Sequence, residues 1–334
     1  METLLLSDHC PDDIQRAGDI LRQGGLVAIP TETVYGLAAN ALDGEAVKKI
    51  YQAKGRPSDN PLIVHISRFS QLAPLVREVP ESAQKLAAAF WPGPLTIILP
   101  KSDVIPQQTS GGLDTVAVRC PSHPTARAVI DAAGVPLAAP SANLSGKPSP
   151  TTFLHVREDL TGRVDALLDG GDCDVGVEST VLTLATPVPR LLRPGGVTLS
   201  QLRQVLGQVE VDPAVLHQME AGQKAASPGM KYKHYSPAAD VVIVDASPED
   251  YVEYVNQRWT AGPCALRRTS PCSRCPPWPT APATTAPARP TGSLRPSTSW
   301  TKPAPPAPMP AFPGSAAWAW RCTTGSSGRR PFRW

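Results

Sequence analysis

With 334 residues the chain can bury a full core, and its length favours two domains. A formal charge of +3 suits anionic ligands but is too small for a nucleic-acid footprint. No apolar run is long enough to cross a bilayer, which excludes a helical membrane protein.

The opening Met1-Glu-Thr-Leu-Leu-Leu carries an acid where a secretory signal carries Lys or Arg, so cytoplasm is the expected compartment. Of the seven cysteines, Cys10, Cys120 and Cys173 are far apart and read as ordinary thiols. The rest lie after residue 263, and no disulfide framework is expected. A lone Cys272-Ser-Arg-Cys275, without a second pair, does not make a metal site.

The spacing of Ile14, Ala17, Ile20 and Leu21 predicts a helix over residues 12–23. Leu26-Val-Ala-Ile29 reads as a buried strand that stops at Pro30. Thr31-Glu-Thr-Val-Tyr-Gly36 follows, and Gly36 and Leu37 lead toward a helical pattern at residues 45–52. A strand ending in hydroxyl and carboxyl side chains before a helix places them at the carboxyl edge of a sheet, where open α/β folds bind ligands. The competing account is a capped turn.

Further strands are expected at 61–66, 95–99, 115–119 and 177–184, with an extended piece at 136–140; helices are expected at 82–90 and 125–133. Strands and helices alternate without strict order. The expected fold is α/β, a mixed, twisted sheet with helices packed on it.

The texture changes near residue 212. Residues 213–238 read as a linker containing Lys231-Tyr-Lys-His-Tyr235, and Ala239-Asp-Val-Val-Ile-Val-Asp245 restarts as a strand, followed by a helix-like stretch at 248–259. The expected organisation is a first domain over 1–212, the linker, and the start of a small second α/β domain over 239–263. After Glu253 no Asp or Glu occurs, while Pro, Ser, Thr, Ala and Arg crowd the remainder. Such composition normally means disorder. Yet six of the seven tryptophans fall after residue 258. A shifted reading frame accounts for both features, since a GC-rich gene read one base over can turn 318–331 into an amphipathic helix. The expectation is that residues 264–334 are a frameshifted, disordered tail.

Several stretches can carry chemistry. Lys54-Gly-Arg56 can converge on one anion, Arg as a two-pronged clamp and Lys as a point charge; a solvated basic loop is the alternative. Asn60-Pro61 sets a turn before the strand that carries His65. Arg119 ends a buried strand and needs an anionic partner, either a ligand or a structural carboxylate. Ser141-Ala-Asn143, Glu178-Ser179-Thr180 and Arg193-Pro-Gly place small polar or cationic groups where strands stop. Together they describe a crevice for a polyanion with a polar organic partner. Walker loops, GxGxxG, nucleophile elbows and clustered His/Cys sets are absent.

Pro30-Thr-Glu-Thr-Val-Tyr-Gly-Leu37, Lys54-x-Arg56, Asn60-Pro-Leu-Ile-Val-His65, Ser141-x-Asn143 and Arg193-Pro-Gly resemble the YrdC/Sua family in order and spacing. Ser227-Pro-Gly-Met-Lys-Tyr-Lys-His-Tyr-Ser-Pro237 is similar to the linker of its long, two-domain form, and the resemblance spans roughly residues 8–245. It implies a YrdC-like twisted sheet with a deep basic cavity. It also implies synthesis of threonylcarbamoyl-AMP from L-threonine, bicarbonate and ATP, for the threonylcarbamoyladenosine of tRNA. Mg²⁺ would be carried mainly by the phosphates.

By the same resemblance Thr33, His65, Arg119, Ala139 and Ser179 would line the threonine part of the pocket. Arg56, Asn60, Thr115, Ser141, Asn143, Ser149 and Arg193 would hold ATP, joined by Tyr235, and with it Tyr232, if the linker folds back. Lys54 and Arg56 would be the catalytic cations. Partners would be these small molecules, tRNA and the complex that transfers the threonylcarbamoyl group, with no membrane. An RNA-binding module and a catalytically inactive copy are the alternatives.

Overall fold

The computed structural model describes residues 2–216 together with Ser247, Asp250, Tyr251 and Tyr254. The chain divides into two compact units, Met1–Ala239 and Asp240–Trp334. In the second unit, Ser247 Oγ accepts the Asp250 N–H at 3.1 Å and the Ser247 carbonyl accepts the Tyr251 N–H at 2.9 Å, bonds that open a helical turn. Residues 213–216, expected as the start of the linker, form a short helical turn, while the rest of the expected linker, with Tyr232 and Tyr235, and the tail lie outside the described residues.

The first unit is built on one sheet of eleven strands among the described residues. These are β1 (Leu4–Ser7), β2 (Val27–Ile29), β3 (Gly36–Asn40), β4 (Ile63–His65), β5 (Leu95–Pro100), β6 (Thr115–Arg119), β7 (Leu137–Ala138), β8 (Ala166–Asp169), β9 (Thr180–Thr183), β10 (Arg190–Arg193) and β11 (Glu210–Val211). Their spatial order is β1-β8-β2-β3-β7-β4-β6-β5-β9-β10-β11. Parallel pairs (β1/β8, β2/β8, β4/β6, β5/β9, β10/β11) occur beside antiparallel ones (β2/β3, β3/β7, β4/β7, β5/β6, β9/β10), so the sheet is mixed as expected. The helices are α1 (Pro11–Arg22), α2 (Gly44–Lys54), α3 (Glu81–Phe90), α4 (Gln107–Ser110), α5 (Pro124–Ala133), α6 (Phe153–Leu160), α7 (Leu199–Leu206) and α8 (Pro213–Leu216). No helix among the described residues is long and apolar enough to cross a membrane.

Side-chain alternation along the strands creates two faces. Ala28, Val64, Val118, Ile97 and Leu182 belong to the larger core cluster, with Val47 and Ile50 of α2, Leu86 of α3, Val156 of α6 and Leu202 of α7. Val27, Ile29, Ala38, Leu137 and Leu168 point the other way and pack with Ala17 and Leu21 of α1 and Val129 and Ile130 of α5. Each fully buried Val, Leu or Ile among them contributes about 1.5–3 kcal/mol. Farther along that second face a small cluster, Ile63, Ala117, Ile98, Val181 and Leu192, spans β4, β6, β5, β9 and β10.

Two further expectations need correction. Gly36-Leu-Ala-Ala-Asn40 does not lead directly into helix: it is β3, antiparallel to β2 with Ile29 opposite Gly36. Its Gly and Ala have little strand propensity of their own, and pairing with β2 and β7 recruits them. Ser179 stands just before β9, so the strand expected over 177–184 is shorter and the residue opens it. The sequence reading also passes over β1, β8, β11, α4, α6 and α7, whose apolar runs are short.

Candidate active site

A cavity opens among Thr31, Thr33, Val34, Gly36, Arg56, Pro61, Leu62, Ile63, His65, Arg119, Ala139, Pro140, Ser141, Glu178, Ser179 and Arg193. It does not lie at the carboxyl edge of the sheet as expected, because antiparallel neighbours interleave strand starts with strand ends. It lies over one face. Ile63 and His65 of β4 project together by the period of two, and their direct partners on β6 are Ala117 and Arg119. The site residues thus extend the small apolar cluster of that face.

The turn after β2 is tied by hydroxyls. Thr31 Oγ1 donates to the Val34 carbonyl at 2.6 Å and accepts the N–H groups of Thr33 (3.2 Å) and Val34 (3.3 Å). With its proton committed there, its 3.0 Å contact with Thr33 Oγ1 makes Thr33 the donor and leaves Thr33 acceptor capacity on the wall. Tyr35 plugs the turn into the core, its hydroxyl donating to the Gly171 carbonyl at 2.6 Å.

Arg119 and His65 form one end. Arg119 is 4% exposed, and its Nη2 is 2.8 Å from Oε1 of the buried Glu32. The structural carboxylate that sequence reasoning held open is therefore present, while Arg119 also lines the cavity. Within the Thr31-Glu-Thr motif the sequence alone assigns Glu32 no role. His65 is fully enclosed with Nδ1 3.2 Å from the Ile63 carbonyl; burial, then the adjacent Arg119 charge, pushes its pKa down to about 3. It is a neutral imidazole at physiological pH.

Arg56 and Arg193 lie on the same cavity wall. Arg193 Nη1 meets Glu178 Oε2 at 2.6 Å, its Nε donates to the Ser179 carbonyl at 3.0 Å, and Nη2 to Ser179 Oγ at 3.1 Å. Ser149 Oγ donates to Glu178 Oε1 at 3.0 Å, and Ser179 Oγ meets Thr96 Oγ1 at 2.8 Å. Gly195 is required here: a Cβ would come within 2.4 Å of the Glu178 carbonyl and the Thr180 nitrogen. Glu178 too was missed; a carboxylate among cations gives no sequence signal of its own.

Thr33, Arg56, His65, Ala139, Arg119, Ser141, Ser179 and Arg193 are brought together on the wall; Lys54, Asn60, Thr115, Asn143 and Ser149 stand off it. Thr115 shares the face of Ala117 and Arg119, two residues along β6. Asn60 is buried with its carbonyl accepting from Tyr51 Oη at 3.0 Å. Lys54 differs most from expectation. Its ammonium turns inward onto the carbonyls of Ser141 and Asn143, because the next residue, Gly55, takes the left-handed conformation (φ 62°) and sends only Arg56 toward the cavity. Among the described residues no cluster of three or more His, Cys, Asp or Glu could hold a metal. Glu178, the carboxylate on the wall, is engaged by Arg193 and Ser149.

Comparison with known proteins places two family models on the chain. The Sua5/YciO/YrdC model, described as "Telomere recombination", matches residues 19–195, and the model for the threonylcarbamoyl-AMP synthase C-terminal domain matches residues 197–272. The threonylcarbamoyl-AMP synthase of Pyrococcus abyssi is 54% identical over 239 residues, covering 72% of this chain and 69% of that protein. That of Bacillus subtilis is 53% identical over 258 residues, covering 77% and 73%. A crystal structure of P. abyssi Sua5 complexed with L-threonine superposes with a TM-score of 0.72 at 48% identity, covering 77% of each chain. E. coli YciO shares the fold at 24% identity with a TM-score of 0.54.

Proposed function

Because this chain belongs to the Sua5/YciO/YrdC family, we propose that it is a threonylcarbamoyl-AMP synthase. It joins L-threonine, bicarbonate and ATP into threonylcarbamoyl-AMP and releases pyrophosphate and water. The product feeds the threonylcarbamoyladenosine modification beside the tRNA anticodon through a transfer complex, in the cytoplasm.

One observation carries the reading. A single cavity holds a buried guanidinium beside a neutral imidazole, Arg119 and His65, and two further guanidinium groups, Arg56 and Arg193. Arg119 takes the threonine carboxylate, with Thr33, His65, Ala139 and Ser179 around the rest of the amino acid. A neutral His65 adds no second cation there, so an amino acid is held by one carboxylate clamp. Arg56, Ser141 and Arg193 take the triphosphate, with Asn60, Thr115, Asn143 and Ser149 supporting them.

The threonine amine captures CO₂ derived from bicarbonate, giving a carbamate and losing a proton. A carbamate oxygen then attacks the α-phosphorus, and the bond to the β-phosphate oxygen breaks to release pyrophosphate. Charge grows on the equatorial oxygens and on the leaving group, where Arg56 and Arg193 already stand, so their stabilisation requires little reorganisation. Mg²⁺ would be carried by the phosphates and would supply additional charge neutralisation. No covalent enzyme intermediate is needed.

The test is pyrophosphate release by the purified chain with ATP, Mg²⁺ and bicarbonate, with and without L-threonine. Threonine-dependent release that is lost in Arg56→Ala is expected. Threonine-independent release, or release unaffected by Arg56→Ala, would overturn the assignment.

A further inference from the structure

Lys54 is 3% exposed at the end of α2, with no carboxylate in ion-pairing contact among the described residues. Its ammonium has three protons to donate. Three acceptors receive them: the Ser141 carbonyl, the Asn143 carbonyl at 2.5 Å and, more weakly, Asn143 Oδ1 at 3.4 Å. The same helix end ties the segment again, since the Lys54 carbonyl accepts the Ser145 N–H at 3.0 Å. Asn143 closes the turn from inside, its Nδ2 donating to the carbonyls of Leu144 (2.9 Å) and Lys147 (2.7 Å). On the other side the Ala142 N–H donates to the Tyr35 carbonyl at 2.8 Å, and Ser141 bridges to Gly36.

We infer that Lys54 is a positioning residue, a clamp that holds the 140–147 segment from behind and so fixes Ser141 on the nucleotide side of the cavity without reaching a phosphate itself. The inference rests on the synthase reading only for the word nucleotide; the clamp stands on the geometry alone. The carbonyl of Ser141 is drawn away from the polyanion by the buried cation. A carbonyl turned toward a triphosphate would repel it, and an ammonium behind the chain prevents that.

The clamp is also sensitive to pH. Burial, with the Arg56 charge adding to it, pushes the Lys54 pKa down to about 7, against weaker opposing pulls from Glu178, ahead of β9, and Asp159 on α6. Asp159 is itself held by Lys147 Nζ at 2.5 Å and by the Leu144 N–H at 3.2 Å. Above that pKa the neutral amine has two protons for three acceptors, and the segment loosens.

The test uses hydrogen exchange on the full chain without ligand, and nucleotide and threonine affinities on the same preparations. Lys54→Met should speed exchange at Ala142 and Ser145 about tenfold or more, the scale of losing bonds to a charged donor. ATP affinity should fall while threonine affinity holds. In the parent chain, which needs no variant to fold, the same amides should lose protection between pH 6 and pH 8.5 after correction for intrinsic exchange. Unchanged exchange in Lys54→Met together with lost ATP affinity would overturn the clamp and put the ammonium on a phosphate. Pronounced loosening in a chain that binds no ATP would uphold the clamp while refuting the synthase reading.

Discussion

Arg119 Nη2 stands 2.8 Å from Glu32 Oε1, with the two side chains 4% and 5% exposed, yet neither Glu32 oxygen has a hydrogen-bond partner. The contact is ionic without being well directed. A cation at the end of the cavity is thereby neutralised inside the protein but not saturated, since Nε and Nη2 of Arg119 also lack hydrogen bonds. That state suits a group that must accept a second anion without first breaking a full network.

Removing one partner of such a pair leaves the other charge buried alone. Glu32→Gln should lower unfolding stability by about 3–5 kcal/mol. Replacing both partners, Glu32→Leu with Arg119→Met, should recover most of the loss and abolish threonine binding. Urea denaturation midpoints test the first part and threonine-induced thermal shifts the second; a Glu32→Gln chain as stable as the parent would count against the pairing.

His65 should make stability depend on pH with a definite sign. Its pKa is depressed from 6.5 to about 3, chiefly by burial, so the unfolded chain binds a proton that the folded chain refuses in that interval. Its contribution is complete above pH 6.5 and declines as pH falls toward 3. Tm measured from pH 7 down to pH 4 should drop more steeply for the parent than for His65→Phe. Equal slopes would mean that the imidazole is protonated in the fold.

Glu178 should matter to nucleotide more than to threonine. It holds Arg193 at 2.6 Å, whereas Ser179 Oγ, besides meeting Arg193 Nη2, has a second contact of its own with Thr96 Oγ1 at 2.8 Å. Glu178→Gln should weaken ATP binding about tenfold, on the scale of a charge-assisted bond, with threonine affinity little changed. Calorimetric titration of each ligand decides it; a loss confined to threonine would reverse the assignment.

The stretch from about residue 264 onward is proposed to be read in a shifted frame, since no Asp or Glu follows Glu253, although the C-terminal family model runs on to residue 272. Resequencing the DNA across codons 255–270 should reveal an inserted or deleted base relative to the relatives' frame. An intact, homogeneous reading of the printed frame would end the idea.

Most of the long, periodic elements were legible in sequence: α1, α2, α3 and α5 fall where apolar spacing put them, and β5 and β6 match their β-branched runs. What escaped were short pieces, among them the strands β1 and β8 and the helices α6 and α7. Leu4–Ser7 and Ala166–Asp169 pair with each other, residues 162 apart in register, and neither run is long enough to announce itself. The Arg, Ser and Thr residues that line the cavity were visible because charged and hydroxyl groups interrupt apolar strands. Glu32 and Glu178 were not, because a carboxylate inside a polar motif reads the same whether it faces water, a ligand or an arginine.

The sequence by itself determined the family, the mixed α/β architecture and the polar residues from which a polyanion site can be made, since these depend on local pattern and motif order. Only the tertiary structure decided which of those residues face the cavity. Lys54 and Arg56 are separated by a single glycine, yet one is enclosed behind the 140–147 segment and the other lines the wall. The reason is that direction depends on the left-handed turn at Gly55 and on carbonyls supplied from some 90 residues away, contacts that two residues' own chemistry cannot specify.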